Sequence, residues 1–257
     1  MPDLSMEMPC ASLDEAFAGV VDREGKIPAA LEELGPVIGQ EVVVLDCGRG
    51  ERARQLQEFG ARVTAVEMPA SEAVLVELMR GLSELPGGGA DAVVAFWSDL
   101  ATPGSPFIAD AMRLLRPGGR LLIVHDYGRD DVWRLAPDDC VDRLAWSQRN
   151  GPFLGDGFRI RVIHCWWTFD SVEQARELLS EAFGEAGIEL ADRMRRPRLE
   201  YNVAVYHRSA PIKEPVETVV PAAEAAGAAG ATGAAGAAGA AGAAAAQSGS
   251  RLVRSLA

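Results

Sequence analysis

The chain has 257 residues, of which 48% are hydrophobic, and its formal net charge is -12. That is enough apolar material for one full-sized domain with a buried core. The acidic balance works against a nucleic-acid partner, which needs a basic face to neutralise phosphates. No stretch approaches the roughly 20 apolar residues of a membrane span. The acidic start, MPDLSMEMPCASLDEAF, lacks the basic cap and apolar run of a secretory leader. Cys10, Cys47, Cys140 and Cys165 are scattered with no CxxC pair. That spacing argues against a zinc site or a disulfide framework and suits a reducing compartment. The composition predicts a soluble cytoplasmic protein with no metal, no membrane association and no nucleic-acid partner.

In chain order, the pattern opens with a helical pair, Leu13 to Arg23 and Pro28 to Leu34, the second with proline in its first turn. A strand over Glu41–Cys47, a helix over Glu51–Phe59 and a strand over Arg62–Met68 follow. Residues 70–85 are ambiguous. Asp91–Trp97 reads as a strand, Ile108–Leu115 as a helix and Arg120–His125 as a strand. Beyond Asp131 come Phe158–Trp167 (strand), Ser171–Phe183 (helix), and Ile188–Ala191 with Leu199–His207, read as an antiparallel hairpin. Strands with nearly continuous apolar runs, alternating with helices, imply a parallel sheet covered on both faces. The expected fold is therefore α/β, doubly wound and mostly parallel, with an antiparallel end.

From Pro211 the composition shifts, and glycine recurs every third residue from Gly227 to Gly242. The repeat has the collagen period but no proline to hold a polyproline conformation, so a disordered Ala/Gly tail is expected. The predicted organisation is a helical segment at 1–35, one α/β domain at 36–209 and the tail at 210–257.

The chemistry-bearing stretch is VVVLDCGRGERARQL, Val42 to Leu56: a strand, a glycine-spaced turn and a helix. Gly48, Gly50 and Ala53 fit GxGxxA, and Glu67 stands near the 20-residue offset at which an acid accepts from ribose hydroxyls. Taken alone, that pattern fits a nicotinamide dinucleotide and an oxidoreductase. Asp46, two residues before the first glycine, and LLRPGGRLLIV, residues 114–124, point elsewhere. With DCGRG (Asp46–Gly50) and VTAVEMP carrying Glu67, these residues resemble the class I S-adenosylmethionine-dependent methyltransferases over roughly residues 35–208. The resemblance implies a mostly parallel seven-stranded sheet with a C-terminal antiparallel hairpin, S-adenosylmethionine as cofactor and methyl transfer to a small molecule. It implies that Asp46, Gly48 and Gly50 face the methionine moiety, that Glu67 takes the ribose hydroxyls and that Met68 lies against the adenine.

Two features depart from the family pattern. The third loop glycine falls at Arg52, where a cation in the first helical turn opposes the helix dipole and crowds the loop. Between Glu67 and Asp91 the chain is too short for a full helix, a third strand and the usual glycine-acid pair. Both features keep open a non-catalytic member of the fold, acting as a binding or interaction module.

The acceptor in such a sheet is expected at the carboxyl ends of the fourth and fifth strands. FWSDL (96–100), HDYGRDD (125–131) and HCWWTFD (164–170) fall there. His164 is a candidate general base because imidazole titrates near neutrality, and Tyr127 is a candidate to donate to an acceptor oxygen or to face the cofactor. His125 and Asp126 are neighbours on a strand and should face opposite ways. At least one of Trp166 and Trp167 should face away from the core. Arg193, Arg195, Arg196 and Arg198 read as a solvated turn, with an anion site as the alternative.

Overall fold

The computed structural model describes residues 4–6, 8–45, 48–66, 87–135, 141–212 and 253–255. The N-terminal pair forms α1 (Ala11–Ala18) and α2 (Lys26–Leu34). The body runs β1 (Glu41–Leu45), α3 (Glu51–Glu58), β2 (Arg62–Val66), β3 (Ala90–Phe96), α4 (Pro106–Leu114) and β4 (Leu115–Asp126). It continues through α5 (Val141–Trp146), α6 (Pro152–Gly155), β5 (Arg159–Thr168), α7 (Val172–Arg193) and β6 (Arg198–Ser209).

These strands form one sheet in the order β5-β6-β4-β3-β1-β2. β2, β1, β3 and β4 are mutually parallel, whereas β6 lies antiparallel to both β4 and β5. Six strands thus come from the predicted domain. The seventh, β7 (Val253–Ser255), belongs to the C-terminal RLVRSLA and pairs antiparallel with β2. The third strand that the family pattern would place before Asp91 falls within 67–86, outside the described residues. Most of the predicted Ala/Gly tail also lies outside them.

Burial on both faces follows from the period of two along each strand. On β3, Ala92, Val94 and Phe96 enter a core with Phe17, Ile27, Leu31, Ala53, Leu56 and Leu179. Val93 and Ala95 enter a second core with Phe107, Ile108, Ala111, Leu114 and Phe153. Helices α1, α2, α3 and α7 therefore cover one face, and α4 and α6 the other. Ser105 caps α4 by accepting from the Phe107 amide at 3.2 Å, with proline at the first helical position.

Two sequence expectations are corrected. Ile188–Ala191 is helical, within α7, and β6 pairs instead with β5. The I-E-L-A alternation is only four residues long. The buried set Gly187, Leu190 and Ala191 has helical spacing, and Gly184, at φ +56°, kinks the helix without ending it. The first helix stops at Ala18 rather than Arg23, because residues 20–22 are drawn into the sheet edge. Thr168 donates its amide to Val20 O at 3.0 Å, and Asp22 to Trp166 O at 3.1 Å. The free edge of β5 is thereby partly covered.

Asp22 turns the chain from this edge into α2. Its residue is held at φ +55°, and its carboxylate accepts from the amides of Lys26 and Ile27 at 2.9 and 2.8 Å. The aromatic hub of this face is Phe17, which is fully buried. Its ring centroid lies 5.1 Å from Trp167, 6.4 Å from Phe169 and 5.8 Å from Phe183. Phe17→Ala is expected to destabilise the protein by about 3–4 kcal/mol through lost burial and an unfilled cavity. Urea denaturation checks this, and a loss under ~1 kcal/mol would mean that α1 is not part of the cooperative core.

Candidate active site

The turn after β1 has the local chemistry expected of it. Gly48 and Gly50 adopt φ of +55° and +89°, a region that L side chains with a Cβ reach only under strain. Gly50 opens α3, and among the described residues a Cβ built there would meet nothing within 4 Å. The glycine is needed for its backbone conformation, and no described residue crowds it. Asp46, Glu67 and Met68 lie outside the described residues.

Arg52, the residue in place of the third glycine, does not swing to solvent. It is 4% exposed and reaches inward, donating to Gln55 Oε1 at 3.0 Å and to Val21 O at 3.4 Å. Its guanidinium lies 5.5 Å from the Trp97 ring centroid. Arg49 reaches outward to α1, bonding Ala11 O at 3.0 Å and pairing with Glu15. Two arginines of one loop thus tie the N-terminal segment over the carboxyl edge of the sheet. A positive-φ glycine turn at the start of a helix suits a carboxylate-bearing group, whereas the Arg52 guanidinium is engaged by Val21 O, Gln55 and Trp97. The residues present fit the amino-acid end of S-adenosylmethionine.

The predicted stretches do converge at this edge. Trp97, just past β3, is 4% exposed and holds φ +45°, an unusual conformation for a bulky residue. Its ring lies 6.5 Å from Tyr201 of β6, and Trp167 lies 5.9 Å from the same tyrosine. His125 and Asp126 face opposite ways, as strand geometry requires. Asp126 accepts from Tyr201 Oη at 2.5 Å and pairs with Arg143 of α5 at 3.1 Å. Arg143 also donates to Ser5 O. Burial raises the Asp126 carboxyl above its usual range, against the opposing pull of Tyr201 and Arg143.

His125 points to the other core. Its Nε2 lies 3.1 Å from Ala101 O, and Trp146 stands edge-on at 5.0 Å. Burial drives its pKa down to about 4, so it stays neutral and is no accessible base. Asp130, by contrast, is pushed up to about 6 by burial, although it accepts from the amides of Asn202 and Trp133.

His164 and Tyr127 meet at one residue of β6, Asn202. His164 is exposed, and its Nδ1 lies 2.7 Å from Asn202 Oδ1, while Tyr127 donates its amide to Asn202 O at 2.8 Å. Asn202 Nδ2 donates to Gly128 O. That bond leaves Oδ1 as the acceptor, so Nδ1 of His164 is the donor, and in the neutral ring Nε2 carries the lone pair. Tyr127 is half-buried, with the Arg129 guanidinium 5.6 Å from its ring. Trp166 and Trp167 divide as expected: Trp167 is buried against Phe17, whereas Trp166 is partly exposed beneath Lys26 Nζ at 3.5 Å.

Tyr201, Asn202 and Arg143 were not legible as site residues. LEYNVAVYH carries a clear strand alternation, and nothing local separates its polar members from ordinary solvent-facing ones. The only signal was the Tyr-Asn pair standing in the half of the strand nearest the carboxyl edge.

The burial of His125 and Asp130 gives opposite pH dependences. For His125, the unfolded state takes up a proton near the ordinary value of ~6.5 while the folded state refuses it until about 4. Its contribution is therefore present above ~6.5 and is lost as pH falls toward 4. Asp130 binds its proton earlier in the folded state, so its contribution is present at low pH and is lost as pH rises through about 6. The two offset one another between pH 4 and 6. His125→Gln is expected to gain stability relative to the parent by about 2 kcal/mol between pH 7 and 4.5. Parallel pH–stability curves for the two proteins would overturn the assignment.

No protein-family model matches the chain, and no curated protein matches it. Solved structures of similar architecture include a protein of Anaeromyxobacter dehalogenans provisionally assigned as a type II methyltransferase. That match has 18% identity and a TM-score of 0.46, covering 72% of this chain and 97% of that one. A Bacillus halodurans protein provisionally assigned as a methyltransferase matches at 16% identity and a TM-score of 0.37, over 72% and 98%. A protein of Galdieria sulphuraria, provisionally assigned as a sarcosine dimethylglycine methyltransferase, matches at 16% identity and a TM-score of 0.40, over 79% and 92%. At these values the similarity is one of architecture only. The parallel core closed by an antiparallel β6, with the glycine turn between β1 and α3, is the α/β architecture that the resemblance to the class I S-adenosylmethionine-dependent methyltransferases implied.

Proposed function

We propose that the chain is an S-adenosylmethionine-dependent methyltransferase acting on a small molecule. The observation that carries the reading is the turn at Gly48 and Gly50. Both glycines have positive φ, no described residue lies within 4 Å of a Cβ at Gly50, and the turn leads into α3 at the carboxyl edge of the parallel strands. The reversed β6, inserted between β4 and β5, also counts against a dinucleotide oxidoreductase, whose doubly wound sheet runs parallel in the order 3-2-1-4-5-6.

When bound, the cofactor supplies an electrophilic methyl group on a sulfonium. The chain's own residues have three tasks. Asp46, with the backbone of Gly48 and Gly50, would hold the amino-acid end, and Glu67 and Met68 would hold the adenosine end. The N-terminal segment, tied down by Arg49 and Arg52, excludes water from the carboxyl edge of the sheet, which favours an in-line displacement between aligned groups. His164 Nε2 accepts a proton from the acceptor, with Asn202 fixing the ring and its tautomer. Tyr127 lies beside the same asparagine as a donor to an acceptor oxygen.

A second reading, a non-catalytic binding module of this fold, draws on Arg52. Its guanidinium packs against Trp97 and bonds Val21 O, so it serves the N-terminal segment and stands where the family pattern has a glycine.

Calorimetric titration with S-adenosylmethionine and its demethylated product, with NAD as control, separates these readings. Micromolar binding of the first two and none of NAD is expected. If neither sulfur ligand binds, the non-catalytic reading stands. Gly50→Val, which forces a β-branched residue to φ +89°, is expected to weaken cofactor binding roughly tenfold or more. Glu67→Ala should weaken it a few-fold through the loss of a ribose partner. Unchanged affinity in both folded variants would remove the pocket from this place.

A further inference from the structure

A cavity of about 500 Å³ opens where the end of α7, the start of β6 and the end of β5 meet. Five arginines are among its lining residues, Arg134, Arg193, Arg195, Arg196 and Arg198, with Trp166 as an aromatic neighbour. Two carboxylates, Asp131 and Glu200, stand among them. Asp131 is already engaged, by Arg134 at 3.2 Å and by the Glu200 amide at 3.2 Å. The helix C-terminus accounts for Arg193, which lies in the last turn of α7 and also pairs with Glu189. It does not account for Arg195, Arg196 and Arg198, which follow the helix on one short turn.

Among the described residues, those three have no carboxylate within 4 Å, in a chain whose net charge is -12 and most of whose other arginines are ion-paired. The turn is also held in place. Pro197 O accepts from the Phe169 amide at 2.8 Å, and Arg196 O accepts from the Arg198 amide at 2.7 Å. The Arg198 guanidinium lies 5.1 Å from the Trp166 ring centroid. Like-charged groups gathered on a fixed turn repel one another, and an anion placed among them relieves that repulsion without ordering a loop.

We propose that this cavity binds the phosphate or diphosphate group of a small molecule which, taking the methyl-transfer reading as given, is the acceptor. Guanidinium forks match phosphate oxygens in pairs, and a phosphate or diphosphate offers more oxygens and more negative charge to several arginines than one carboxylate does. The volume suits a small ligand, and the acidic remainder of the chain opposes a polynucleotide. Position links the cavity to the candidate base. Trp166 stands two residues beyond His164 on the same face of β5, about 7 Å along the strand. An anionic end held by the arginines therefore places the rest of a small molecule beside His164 Nε2.

The test is a calorimetric titration of the full chain with inorganic pyrophosphate, in the absence of any sulfur ligand. Saturable binding, tighter than that of orthophosphate, is expected. Arg195→Ala combined with Arg196→Ala, and separately Arg198→Ala, should each weaken it by roughly tenfold, as removal of charge-assisted bonds requires. Arg62→Ala, which removes an ion-paired arginine of β2, should leave it unchanged. These arginines are exposed, and circular dichroism will show that the variants fold. Failure to saturate at millimolar pyrophosphate, or equal affinity in parent and cavity variants, overturns the proposal. So does tighter, arginine-dependent binding of a short RNA, which would make the cavity part of a nucleic-acid surface. The outcome is separable from the cofactor titration. Sulfur-ligand binding without pyrophosphate binding removes the phosphate site and leaves methyl transfer standing. Pyrophosphate binding without sulfur-ligand binding keeps the site and removes its role for an acceptor.

Discussion

A buried carboxylate organises the carboxyl edge of the sheet. Asp126 ends β4, and removing its charge from water is tolerable only because partners converge on it. Tyr201 supplies a hydroxyl from β6 at 2.5 Å, and Arg143 a guanidinium from α5 at 3.1 Å. Arg143 also takes Ser5 O, so the same cation binds the start of the chain. Four separate pieces of sequence are thereby fixed relative to one acid. The rings of Trp97, Tyr201 and Trp167 then stack outward from it into the core beneath α1. Deleting one member leaves the others charged or polar without a partner, so this network acts as a unit rather than as a sum of bonds.

The N-terminal segment is held over this edge by several polar contacts and one apolar plug. Arg49 and Arg52 bond backbone carbonyls of residues 11 and 21, the 20–22 segment bridges β5, and Phe17 fills the space between Trp167, Phe169 and Phe183. A cation in the first turn of α3 opposes the helix dipole. Its cost is offset because the same group reaches a carbonyl, an amide oxygen and an indole face. What reads in sequence as damage to a cofactor loop is, in three dimensions, the fastening of a cover.

The fold was largely legible because its signals are local and repeated. Apolar runs at 42–45, 92–96 and 121–124 have only one accommodation, a sheet buried on both faces, and Gly48 and Gly50 stand where the turn needs positive φ. Ile188–Ala191 was not legible, because four alternating residues carry no period that separates strand from helix. The helical burial of Leu190 and Ala191 depends on Leu179 and on a kink at Gly184. The site divided in the same way. The stretches at 96–100, 125–131 and 164–170 do gather at one edge, since strand ends must. Their chemistry is set by Tyr201, Asn202 and Arg143, whose parts depend on cross-strand register, as in His164 opposite Asn202 and Cys165 opposite Tyr201.

Register also explains why charge could not be judged from composition. Spread over the chain, 25 basic residues against 37 acidic ones describe an acidic protein. Folding sorts them: exposed arginines such as Arg23, Arg62 and Arg161 find carboxylates across elements, at distances where solvent leaves each pair worth little. The residues that matter are those the sorting leaves together. Because β6 leaves the α7 turn antiparallel to β5, Arg198 falls opposite Thr168 and Glu200 opposite Trp166. That brings the arginine turn onto the same strand face as His164. An acidic chain thus carries a local field of the opposite sign two residues from its most accessible imidazole, and the field acts over the short range within which salt does not screen it.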